Sequence, residues 1–227
     1  MSTTRTHALV FGAAALAVAA SGVDQASAQT RYQAREFTFV GTAAQCGGTA
    51  GSNIVTASWL AGMGLPDDGS PNPDGRNAHQ GLLLSKNGPT PNCSSAGAEI
   101  VGWTSGDTLS ALGFDFRRGG HCGAGAPRFN VTDTSGNVYF FGCAGGTHSP
   151  APQDPAQWER VRFTTSADGS PATFVFGMTP VASIDILFDE GTDTANNDTE
   201  GVGLAVLDNI RINETTITMR RGNRIVP

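Results

Sequence analysis

The stretch Ser183–Asn213, SIDILFDEGTDTANNDTEGVGLAVLDNIRIN, decides the fold. In its first part Ile184, Ile186 and Phe188 alternate with Asp185, Leu187 and Asp189. Alternation of this kind puts one set of side chains on each face of a strand. In the second part, GLAVLDNIRIN, the even positions are Leu204, Val206, Asp208, Ile210 and Ile212. Asp208 therefore falls on the apolar face of a second strand unless a bulge shifts the register. A buried carboxylate is costly without a cation or several donors, so an arginine or a metal ion is expected to meet it. The connecting loop adds Asp189, Glu190, Asp193, Asp198 and Glu200, with Asn196 and Asn197 between them. Calcium takes several carboxylate and carbonyl oxygens from such a loop, although the spacing is not that of an EF-hand. Asp189, Glu190, Asp193, Asp198 and Asp208 form the candidate calcium set, and a solvated loop of turn-forming residues is the alternative.

The rest of the chain has the same rhythm. Strands are expected over Glu36–Gly41, Asn53–Trp59, Gly81–Ser85 (apolar on both faces, as in a central strand), Ala98–Trp103, Leu109–Arg117, Trp158–Thr165 and Thr173–Gly177. Thr215–Met219 is a candidate edge strand, and Ser94–Gly97 reads as a turn. Arg128–Asp133 and Asn137–Cys143 form a hairpin about Thr134-Ser135-Gly136. Each apolar run is short and bounded by turn residues, so no helix is expected after the leader. Thirty glycines and twelve prolines suit an all-β chain. The fold expected is an antiparallel β-sandwich.

Residues 1–28 read as a secretory signal peptide: Arg5 and His7, an apolar run from Ala8 to Ala20, then Ala26-Ser27-Ala28 as the cleavage site. Its alanine-rich core suggests a bacterial source. Residues 29–227 are expected to form one secreted domain, extracellular or periplasmic, with no segment apolar enough to insert in a membrane. A formal charge of −6 argues against nucleic acid as a partner. In an oxidising compartment Cys46, Cys93, Cys122 and Cys143 read as two disulfides. The hairpin brings Cys143 near Cys122, which leaves Cys46 for Cys93.

Few residues suggest chemistry. Trp158, Arg160 and Arg162 share a strand face whose reverse is apolar, so an aromatic platform beside guanidinium donors could bind sugar. A Trp158 packed at the strand entry is the competing reading. Arg160 or Arg162 could also serve Asp208. Trp59 and Trp103 lie near strand ends and read as core. His121 and His148 flank Cys122 and Cys143; zinc on this group is the rival of the disulfide, and acid–base work with Asp154 nearby is a further option. Asp67, Asp68 and Asp74 lie in a Pro/Gly-rich surface loop. The glycine-rich Gly119–Pro127 lacks the following Lys-Ser/Thr and helix of a phosphate cradle. No Gly-x-Ser-x-Gly or His-Glu-x-x-His occurs. Carboxylate pairs Asp189/Glu190 and Asp115/Glu159 could imitate a glycosidase only if their separation is right.

The closing strand LDNIRI, after a long loop, resembles the last strand of jelly-roll carbohydrate-binding modules of the galactose-binding-like type. The resemblance is close over roughly the last fifth of the chain. It implies a jelly-roll sandwich, a structural calcium held partly by Asp208, and a non-catalytic module for a polysaccharide or cell-surface glycan. A metal-assisted extracellular hydrolase or lyase, using the acidic loop or the His121/His148 region, is one alternative. A structural or adhesive surface protein without a small ligand is the other.

Overall fold

The computed structural model describes residues 32–66, 79–164, 174–193 and 201–219, with the backbone alone of 223–224. The proposed leader, the Asp67/Asp68/Asp74 loop and Asp198 lie outside the described residues. Among the described residues thirteen strands form, in chain order β1 (Gln33–Val40), β2 (Val55–Ala61), β3 (Gln80–Lys86), β4 (Ser94–Val101), β5 (Leu112–Arg117), β6 (Arg128–Asp133) and β7 (Val138–Gly142). Then follow β8 (Thr147–Pro150), β9 (Trp158–Phe163), β10 (Val181–Phe188), β11 (Leu204–Ile212), β12 (Thr215–Ile217) and β13 (Asn223–Arg224).

Two antiparallel sheets result, and the fold is the expected all-β sandwich. The five-stranded sheet has the order β1-β4-β10-β6-β7, and the eight-stranded sheet runs β13-β12-β11-β5-β9-β8. In the larger sheet β3 also pairs with the first half of β11, and β2 pairs with β3. The chain crosses repeatedly between sheets, so the strands of one layer come from distant segments.

The core lies where alternation placed it. Ile184, Ile186 and Phe188 of β10 are fully buried, facing Phe114, Phe116, Val161 and Leu207 of the larger sheet in one apolar cluster. Phe163 packs against Phe114, Phe129 and Phe141 with ring centroids 5.8–6.0 Å apart. Edge-on contacts of this kind suit the aromatic quadrupole. Trp59 donates its indole N–H to the Ala34 carbonyl at 2.8 Å and joins the two sheets. Trp59 is a core residue, as read from sequence, and the partly buried Trp103 packs against the core.

Both expected disulfides form: Cys46–Cys93 ties the end of β1 to the start of β4, and Cys122–Cys143 closes the β6–β7 hairpin against the loop before it. Pairing of Cys122 with Cys143 excludes the zinc reading, because no thiol remains free.

Two expectations need correction. Ser94–Gly97 is the start of β4, not a turn; these small residues pair with Phe37–Val40 of β1 and lie beneath its side chains. Residues 174–179 form a turn rather than a strand, and Phe174 and Phe176 still pack on the core through ring contacts. A strand that the sequence analysis did not mark, β8, forms over Thr147–Pro150, an exposed THSP segment without apolar alternation.

Asp133 secures the β6–β7 turn. Its carboxylate accepts the backbone N–H of Ser135 and Asn137, the Asn137 amide and the buried Tyr139 hydroxyl. The Asn137 side chain, above all, holds the Asp133 carboxyl below the usual aspartate range. A depressed carboxyl stabilises the fold above its ordinary pKa, and that stability is lost as the pH falls through the depressed value. Denaturant titrations across the acid range are expected to show Asp133→Asn losing stability at neutral pH and having a shallower acid decline than the parent.

Candidate functional site

The two sheets present very different outer faces. On the eight-stranded sheet the outer face is roofed. Asp208 does not join Ile210 and Ile212: a bulge between Asp208 and Arg211, with Asn209 at φ 45°, switches the face. Ala205, Leu207, Ile210 and Ile212 point into the main core, while Val206 belongs to a second cluster outside it. Asp208 is fully buried under the chain segment before β3. It accepts the backbone N–H of Leu65 at 2.7 Å and of Asn209 at 2.6 Å. Two backbone amides thus donate to the buried Asp208 carboxylate.

The arginines instead serve Asp115, the cross-strand neighbour of Asp208. Arg160 grips Asp115 through two nitrogens at 3.0 and 3.1 Å, Arg162 reaches it at 3.3 Å, and the Asn209 amide donates at 2.8 Å. Burial pushes Arg162 down to about 10, with the Asp115 charge pulling the other way.

Trp158 does not offer a platform. It is 3% exposed, packed with Leu65, Ala151 and Val206. The expected sugar face of Trp158, Arg160 and Arg162 is thus a covered polar layer. Asp115 and Glu159 do not pair either. Glu159 contacts Arg118 and His148, the latter at 2.5 Å.

The outer face of the five-stranded sheet is open. Its outward residues follow from the register. One row across β1, β4, β10, β6 and β7 reads Arg35, Glu99, Asp185, Asn130 and Phe140. The next reads Phe37, Gly97, Leu187, Arg128 and Gly142. The Phe37 ring lies over Gly97, where an added Cβ would come within 2.5 Å of the ring tip. Phe39, at 39% exposure, continues the line toward the end of the sandwich. Arg35 pairs with Glu99, and the Arg128 guanidinium sits 5.5 Å from the Phe140 ring centroid. Glu99 and Asp185 are direct cross-strand partners. Burial first, and the Glu99 charge second, raise the Asp185 carboxyl above the ordinary aspartate range. Like charges placed opposite one another are destabilising, so the fold bears a cost here.

This face runs into a groove of about 460 Å³ at the sandwich end, lined by Phe39, Asn92, Ser95, Arg128, Asp189 and Glu190 among others. Arg128 clasps Asp189 with two bonds of 2.6 and 2.8 Å. Glu190 meets the buried His121 ring at 2.5 Å and packs over the glycine-rich loop, where a Cβ at Gly125 would collide with it at 2.1 Å. The small residues of that loop serve close approach. His121 thereby joins the acidic loop, whereas His148 turns to Glu159 and the Cys143 carbonyl.

At the groove floor lies Lys86, 1% exposed. Its ammonium donates to the carbonyls of Thr90, Asn92 and Asp189 at 2.8, 2.6 and 2.7 Å. Burial lowers its pKa, and the charges of Asp189 and Asp193 oppose that. Asp193 accepts the Thr90 N–H and hydroxyl, each at 2.7 Å. Among the described residues no group of three or more His, Cys, Asp or Glu side chains is placed to hold a metal ion.

Lys86, Phe37, Phe39 and Glu99 were not singled out from sequence. The alternation of EFTFV and the isolation of one lysine at the end of an apolar strand were the available signals. No protein-family model matches this chain, and no curated protein matches it in sequence.

Removing Asp115 leaves two guanidinium groups in a covered layer without their carboxylate. Asp115→Ala is expected to destabilise the domain by about 3 kcal/mol, the low end for breaking a buried pair because both arginines keep some solvent contact. Urea unfolding measures this, and a loss under about 1 kcal/mol would show that water replaces the network without penalty.

Proposed function

We propose that the protein is a non-catalytic glycan-binding module acting outside the cell, with its site on the open face of the five-stranded sheet and the adjoining groove. One observation carries the reading: the Phe37 ring reaches over Gly97, in line with the exposed Phe39 and among outward Arg, Asn, Asp and Glu side chains. A sugar ring presents an apolar C–H face and a rim of hydroxyls. Flat aromatic surface and fixed planar hydrogen-bonding groups complement both parts. Two disulfides suit an extracellular setting. The open strip and groove suit a chain-like polysaccharide better than a small sugar.

The strained Glu99/Asp185 pair supports the same site, since destabilising charge arrangements concentrate where a surface has a task. Native affinity electrophoresis against a panel of soluble polysaccharides tests the proposal. Retardation by at least one polymer is expected, with Phe37→Ala and Phe39→Ala each weakening binding roughly tenfold, the loss of about 1–2 kcal/mol of stacking. No retardation of the folded protein across the panel would contradict it.

Asp185→Asn provides a separate check. A raised carboxyl costs stability as the pH climbs above the ordinary aspartate value, so the variant is expected to melt higher than the parent at pH 7 and equally at pH 3. The same change is expected to weaken glycan binding.

A second reading, hydrolysis of the bound glycan, is favoured by the same two carboxyls: one is raised, and the other is paired with Arg35. That division matches an acid and its anionic partner. Release of new reducing ends from a bound polysaccharide, abolished in Glu99→Gln, would select this reading.

A further inference from the structure

Lys86 is the only lysine in the sequence, against thirteen arginines. It ends β3, a strand whose Leu82 and Leu84 are wholly buried, and its own side chain is enclosed. An ammonium group has three N–H bonds in a tetrahedral fan. Here each meets a backbone carbonyl, from Thr90, Asn92 and Asp189. The neutral amine would present a lone pair to one of those oxygens, so the geometry is that of the charged form. Arginine's planar fork does not fit three converging carbonyls, which gives this position a reason to be lysine.

The described carboxylates of the candidate calcium set do not converge on one ion. Asp189 is clasped by Arg128, Glu190 by His121, Asp193 by Thr90 and Asp208 by backbone amides at a different place in the fold. The oxygens that do converge, three carbonyls with Asp189 and Asp193 close by, converge on nitrogen.

We propose that the Lys86 ammonium is the built-in structural cation of this domain, holding β3, the 87–92 loop and the start of the acidic loop together as a bound metal ion would, and that the native protein binds no calcium there. The inference does not depend on the glycan reading. Two consequences follow: the loops need no metal in order to hold the groove, and replacing Lys86 opens a cation site that the natural chain lacks.

The test uses the full secreted protein. Since Lys86 is the sole side-chain amine, selective ¹⁵N-lysine labelling yields one side-chain signal. A slowly exchanging ammonium resonance at neutral pH is expected, together with acetylation of Lys86 only after unfolding. Elemental analysis is expected to find no stoichiometric calcium, and the melting temperature is expected to be the same in calcium and in chelator. Lys86→Ala is expected to melt roughly 5–10 °C lower, a shift readily measured for a domain of this size. Propylammonium, which matches the deleted stem and head, or calcium should restore part of that loss and leave the parent unchanged. Stoichiometric calcium in the parent, a lower melting point in chelator, or rapid acetylation of native Lys86 would overturn the proposal. Should Lys86→Ala fail to fold, the resonance, acetylation and calcium measurements on the parent decide the matter alone.

Discussion

Three carbonyl oxygens closing on one ammonium nitrogen hold the groove end of this molecule together. The Lys86 contacts tie the end of β3 and the loop that follows it to a distant part of the chain, the residue that follows β10. Each acceptor belongs to backbone that no strand pairs. An enclosed backbone acceptor left unmet costs about 1–3 kcal/mol, a large share of a domain's net stability, and of the three the Asn92 carbonyl also accepts the Ser94 N–H. Around this point Arg128 clasps Asp189, Glu190 meets His121, and Asp193 fastens to Thr90. The groove is therefore walled by side chains already held in place, which lowers the ordering cost of binding.

The two sheets divide the work by what covers them. The outer face of the larger sheet is closed by Leu65 and Ala151 over Trp158 and Val206, with Asp115, Arg160, Arg162 and Asn209 bonded beneath. Such a layer sets the geometry of β5, β9 and β11 but leaves little free for a ligand. The outer face of the smaller sheet keeps its aromatic and ionic side chains partly exposed, in rows fixed by strand register. The same alternation thus produces a roofed polar layer on one side and an open mixed surface on the other.

Much of the fold was legible because local patterns were sufficient. Ile184, Ile186 and Phe188 alternate, and they are the centre of the core. The hairpin turn after Asp133 brought Cys143 toward Cys122 and left the second disulfide determined. The site was much less legible. Trp158, Arg160 and Arg162 do share a face, but its covering comes from segments remote in sequence, which alternation cannot reveal. Asp208 was correctly marked as anomalous, and the bulge that resolves it depends on Asn209 adopting a positive φ, a conformation open to asparagine but not announced by it. Ser94 and Ser95 read as a turn because small polar residues favour turns; pairing with β1 overrode that preference. The Phe37–Gly97 stack and the Glu99/Asp185 pair are cross-strand features and needed the register.

The most direct test of the account is the position of the ligand on the molecule. Backbone amide shifts of the labelled protein, followed as a retained polysaccharide fragment is added, would locate it. The account predicts that the largest changes fall on β1, β4 and β10 around Phe37, Gly97 and Leu187 and extend to Arg128 and the groove. Changes centred on β5 and β9 around Asp115, Trp158 and Arg160 would contradict it and move the site to the face described here as closed.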